Sequence, residues 1–172
     1  CCIIICGVAT VIDVRTGRIP NWLTGSGVAL GILLNLAVFT QTGGFDRGIN
    51  DGLLPALAGG AALLVTFGVM GFAGFVGMGD VKLMAAVGAL LRWPNALWAL
   101  AYVTLCGGLV ALLYTLARGQ LGRVLTNLLW MIRRGNRQEQ PLELHHVPYG
   151  LAILLGAAWA AGRTYLPWLR FP

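Results

Sequence analysis

Charge is scarce in this chain. Of 172 residues only 10% are charged, and only six are Asp or Glu. With 58% hydrophobic residues and a mean hydropathy of +0.78, the chain carries more apolar surface than one soluble core of this length buries. A water-soluble domain is excluded. Several signatures are missing as well: no H-E-x-x-H, no Gly-x-Ser-x-Gly elbow and no Gly-Lys-[Ser/Thr] loop is present, which disfavours a zinc protease, a serine hydrolase of the elbow type and a P-loop nucleotide site. Cysteine is limited to Cys1, Cys2, Cys6 and Cys106, all inside apolar runs and without Cys-x-x-Cys spacing. They are expected to be small buried hydrophobes rather than zinc ligands. His145 and His146 are adjacent, so on one helix they point in different directions and serve an interface or cap better than a chelate. No metal or cofactor is called for.

What is present is a series of apolar runs. A membrane-spanning helix needs roughly 20 apolar residues, and segments 22–40, 53–72, 95–117 and 147–169 qualify, while 1–12 and 81–91 are short. The expected fold is therefore all-α, a polytopic membrane protein of about six transmembrane helices, with 1–172 forming a single integral-membrane domain. Neither an internal repeat nor a linker divides it. Because the first run starts at Cys1 rather than a methionine, its helix is expected to be incomplete. Segment 121–132 has apolar residues at helical spacing with Trp130 near its end, and it reads as an interfacial helix on the cytoplasmic surface.

Basic residues supply an orientation. If the segment after Asp13 is cytoplasmic and the six runs alternate, Arg15, Arg18, Lys82, Arg118, Arg123, Arg133, Arg134 and Arg137 share that side, eight of the twelve basic residues. That split follows the positive-inside rule. The net charge of +6 is then topology and contact with anionic headgroups; lipids are the expected partner and nucleic acid is not.

Asp13 and Asp80 stand out against this background, because a carboxylate at the edge of a hydrocarbon core is costly unless paired, hydrated or functional. The same charge argument places both on one face. Taken alone, each motif reads blandly: Asp13 as a helix end neutralised by Arg15 or Arg18, with Pro20 opening the next helix, and Asp80 as the N-cap of the helix it precedes. Together they mean more. Sixty-six residues with two long runs separate them, and an antiparallel pair of helices returns the chain to its starting depth, so the two carboxylates can meet.

The segments DVRTGRIPNWLT at 13–24, GFVGMGDVKLMAAVGA at 74–89 and VPYGLAI at 147–153 closely resemble the type IV prepilin peptidases, membrane aspartyl proteases that share the Gly-x-Gly-Asp signature with presenilin. The resemblance spans nearly the whole chain. It implies that Asp13 and Asp80 are the catalytic pair, and that cleavage occurs at the cytoplasmic face of the bacterial inner membrane, just before the hydrophobic helix of a prepilin with a basic leader. Large members carry a cysteine-rich cytoplasmic domain ahead of the first aspartate and also N-methylate their product. Twelve residues stand there in this chain, which makes it similar to the short, cleavage-only branch associated with tight-adherence (Flp-type) pili.

Two close carboxylates do not both ionise cheaply, so they are expected to share a proton. One then activates a water while the other polarises the scissile carbonyl. Gly74, Gly77 and Gly79 are expected to leave room for an extended substrate strand; Lys82 either tunes the pair, meets the substrate or snorkels to headgroups. The competing expectation is a non-enzymatic transporter or assembly subunit with the two acids as a proton relay or ion pair. Transporters place such acids near the midplane and show paired half-repeats, neither of which fits here.

Overall fold

The computed structural model describes residues 1–16, 19–73, 76–117, 119, 122 and 149–165. Every regular element among them is helical: α1 (Cys2–Thr16), α2 (Asn21–Arg47), a π-helical turn (Gly48–Leu53), α3 (Leu54–Phe72), α4 (Met78–Leu91), α5 (Asn95–Ala117) and α6 (Tyr149–Tyr165). By length and composition, two apolar stretches are able to cross a membrane, Asn21–Phe72 and Asn95–Ala117, with Gly150–Arg163 a shorter apolar helix. The interfacial helix expected at 121–132 lies outside the described residues, Gly122 excepted, as do His145 and His146.

The 52-residue stretch Asn21–Phe72 is two arms rather than one span. Pro20, extended at φ −70° and ψ 138°, precedes α2 and does not continue a helix backwards. Near its far end α2 breaks at Gly43 and Gly44, the latter at φ 82°, a left-handed value that suits glycine. The chain then turns back. Gly48 lies against Thr40, and a Cβ on Gly52 would meet the Asn35 carbonyl oxygen at 2.6 Å. The π-helical turn thus runs down beside α2 and delivers the chain into α3, in keeping with separate runs at 22–40 and 53–72.

At the centre is α4. Val81 and every residue from Leu83 to Ala89 are buried, and the helix packs on α1, α2, α3, α5 and α6. A helix apolar all round belongs inside. This resolves the shortness of run 81–91: Met78, Gly79 and Asp80 extend the helix to 14 residues, about 21 Å at 1.5 Å per residue, and protein surrounds it. Small residues make the approach possible. Gly88 on α4 meets Gly59 on α3, where a Cβ on Gly59 would sit 2.5 Å from the Gly88 carbonyl oxygen. Gly108 of α5 makes no such approach, with nothing within 4 Å of the place its Cβ would take among the described residues.

Polar groups tie the bundle where apolar contacts do not discriminate. Asn35 of α2 donates from Nδ2 to the Ala89 carbonyl (3.1 Å) and to Gly31 in its own helix (2.8 Å). At the end of α4, Arg92 sits at φ 55°, donates from Nη1 to the Asp51 carbonyl at 2.8 Å and stacks 4.3 Å over the Phe39 ring. Outward faces stay apolar: Leu33, Val38, Val65, Val69, Leu105 and Leu113 are all exposed, the pattern of helices whose solvent is lipid. Cys2 and Cys6 are buried as expected, whereas Cys1 is exposed and Cys106 half-buried.

Candidate active site

Asp13 lies in the last turn of α1. The helix does not stop at the aspartate, as its sequence suggested, but continues to Thr16, whose hydroxyl donates to the Ile12 carbonyl at 2.8 Å; nothing in Val14-Arg15-Thr16 breaks a helix before Gly17. Asp80 lies in the first turn of α4, with Gly77 as the N-cap in extended conformation (φ −65°, ψ 142°). Three residues past that cap, Asp80 is not itself the N-cap, and no side-chain hydrogen bond caps this helix. Its role as a capping residue is thereby removed.

Helices α1 and α4 are in contact, the negative charge of Asp13 acts on Asp80, and both aspartates are half-buried. Among the described residues, no cation pairs with either one. Asp80 Oδ1 is buried without a hydrogen-bond partner. Preceding the apolar run 81–91, the Asp80 carboxyl is pushed up from 3.8 to about 7, first by burial and second by the negative charge of Asp13. An orphaned carboxylate oxygen next to a second acid is costly. Such an arrangement suits a carboxyl that holds a proton and meets a substrate or water, and it does not suit a structural ion pair.

Around the pair the backbone is trimmed. A Cβ on Gly77 would come 3.3 Å from Asp80 Oδ2, and one on Gly79 would come 3.2 Å from the Ile19 Cβ. Gly79 therefore lets the buried Ile19 settle on the first turn of α4, while Gly77 leaves one side of Asp80 open. Gly74 lies outside the described residues. Lys82 is exposed and its Nζ donates to Asn21 Oδ1 at 2.9 Å; the lysine ties α4 to the start of α2, a loop-shaping contact.

With two aspartates that meet no cation among the described residues, one acting on the other, the comparison with known proteins becomes specific. A model described as the type IV leader peptidase family matches residues 1–112, a stretch that includes both aspartates and α1 to α4. The chain belongs to that family. It is 38% identical over 109 residues to a prepilin leader peptidase/N-methyltransferase of Pectobacterium carotovorum subsp. carotovorum, an alignment that covers 62% of this chain and 37% of that protein. The chain thus spans well under half the length of this curated relative. No solved structure matches it.

Within the family reading, sequence reasoning passed over three residues near the pair. Asn21 holds Lys82. Thr10, buried one turn before Asp13, donates across to the Gly150 carbonyl at 2.9 Å, and Gly150 sits against Asp13 itself, since a Cβ there would lie 3.3 Å from Asp13 Oδ2. A signal for Thr10 existed: a lone hydroxyl in an apolar run, three residues from an acid, shares its helix face.

Proposed function

We propose that this chain is an aspartic endopeptidase that removes the leader of type IV prepilin-like precursors, working as one membrane domain over 1–172. The observation that carries the reading is that the Asp80 carboxyl is raised to about 7 by burial and by the nearby charge of Asp13, with no cation paired to either acid among the described residues. Near neutral pH, Asp80 keeps the shared proton. Asp13 takes a proton from a water between them, the hydroxide oxygen bonds to the scissile carbonyl carbon, and Asp80 polarises the carbonyl oxygen with its proton. Collapse of the tetrahedral species breaks the C–N bond, and a proton passes to the leaving amine. Neither a metal nor a covalent intermediate is required.

Membership of the family supports the substrate class, and the relative's printed name extends it to prepilin leaders. The basic residues after α1, taken with the six apolar runs, support a multi-pass arrangement in the bacterial inner membrane with the pair at the cytoplasmic face. An open side at Gly77 supports entry of an extended strand, because peptide bonds inside a helix are shielded. Co-expression with prepilins of the same genome, scored by mobility shift and N-terminal sequencing, tests the proposal. Asp13→Asn and Asp80→Asn are each expected to insert normally and abolish cleavage, and the double variant to lose no more than either, since the pair acts as one unit. Cleavage near the wild-type level in either single variant refutes it.

A further inference from the structure

The family match ends at residue 112, yet the Asp13 carboxylate touches an element far beyond it. Thr10 and Asp13 stand three residues apart on α1 and share a face. Against that face lies the start of α6. Thr10 is 7% exposed, and its hydroxyl is within 2.8 Å of the Cys6 carbonyl in its own helix and 2.9 Å of the Gly150 carbonyl of α6. A threonine in a helix satisfies its hydroxyl by a back-bond, as half-buried Thr40 and Thr115 and exposed Thr66 and Thr104 illustrate with carbonyls of their own helices. The one hydroxyl hydrogen of Thr10 is shared between its back-bond and the α6 carbonyl, and the second contact adds register between the two helices.

Gly150 shows what that register serves. A Cβ there would lie 3.3 Å from Asp13 Oδ2, 3.3 Å from the Thr10 Cα and 3.5 Å from the Thr10 hydroxyl. The position is as close to α1 as a residue without a side chain allows, and a methyl group added there would press on the carboxylate. Farther along, α6 is held from its other side, because a Cβ on Gly156 would come 2.6 Å from the Val103 backbone of α5, and Ala152, Ile153 and Ala157 are fully buried. The start of α6 is thus fixed between α5 and the face of α1 that carries Asp13.

Resting on the peptidase reading above, we infer that Thr10 and Gly150 are positioning residues for Asp13, and that the start of α6 forms one wall of the aspartate site. Neither residue touches substrate in this account. Thr10 sets where the α6 wall stands, and the missing side chain at Gly150 leaves Asp13 its productive orientation toward Asp80.

The test uses the full chain in lipid nanodiscs, with Thr10→Val, Thr10→Ser, Gly150→Ala and Asp13→Asn. Initial rates on a purified prepilin are normalised to folded protein measured by size-exclusion chromatography. Thr10→Val keeps shape and loses the hydroxyl; kcat is expected to fall about tenfold to a hundredfold, the scale of a sub-ångström to ångström misplacement, with KM within about twofold. Thr10→Ser is expected to restore most of kcat. Gly150→Ala is expected to lower kcat, because its methyl presses on the Asp13 carboxylate. Wild-type kcat per folded molecule in both Thr10→Val and Gly150→Ala, with Asp13→Asn inactive, overturns the inference and leaves the peptidase reading standing. The same holds if Thr10→Ser fails to differ from Thr10→Val, or if neither Thr10→Val nor Gly150→Ala yields folded protein, since the role is then structural alone. An active Asp13→Asn overturns the peptidase reading and this inference with it.

Discussion

Asparagine at position 13 removes a charge beside Asp80 while leaving the burial of Asp80 nearly unchanged, and so separates the two causes that raise its carboxyl. In the wild type the value is about 7 against an ordinary 3.8, with burial the larger cause and the Asp13 charge the second. A group of that value is about 90% protonated at about pH 6 and about 10% protonated at about pH 8. If Asp80 supplies the proton that polarises the scissile carbonyl, kcat is expected to fall roughly tenfold for each pH unit above about 7. The effect on the fold has the same origin and a definite sign. Because the folded value lies above the reference, ionisation of Asp80 opposes folding; stability is lower above about pH 7 and recovers as pH falls from 7 toward 4. Infrared titration of the protonated carboxyl band in nanodiscs is the assay, with Asp80→Asn identifying the band by its loss. Asp13→Asn is expected to move the midpoint down from about 7 while leaving it above 3.8, since the larger cause persists. A rate that stays flat from about pH 6 to about pH 9, or a band that Asp13→Asn does not move, refutes the shared-proton pair.

Other expectations concern the frame that holds the pair. Gly88→Leu drives a side chain into the Gly59 carbonyl and is expected to cost at least about 3 kcal/mol of stability, read as loss of monodisperse solubilised protein; Gly68→Ala, at a position with nothing within 4 Å, is the tolerated control. Asn35→Leu removes the tie to the Ala89 carbonyl and is expected to lower stability by about 0.6–2 kcal/mol with cleavage per folded molecule retained, measured by thermal denaturation in detergent.

The two acids proposed for the site are legible in one dimension. Asp13 and Asp80 stand out because acids at the ends of apolar runs are selected against unless they are useful, and the distribution of arginines predicts one face for both. Helix existence follows from composition in the same way: 95–117 is read from the sequence with the bounds that α5 has. Boundaries were less secure. The carboxyl of Asp13 looked like a natural helix terminus, but the local chain offers no breaker before Gly17, so α1 continues to Thr16. The cap of α4 fell to Gly77 rather than Asp80 because the extended backbone there precedes the helix by three residues.

By itself, the sequence determined the helical class and the family resemblance and singled out the two acids, because these depend on composition, on spacing and on the cost of charge among apolar residues. Tertiary structure alone decided the rest. That α4 is short yet central follows from its being packed by five other helices, a property of the bundle that no window of its own residues contains. Likewise Gly150 lies against Asp13, and Thr10 reaches the Gly150 carbonyl across 140 positions of chain. Hydrogen bonds and van der Waals limits act over a few ångströms, so only the folded arrangement determines which distant residues meet.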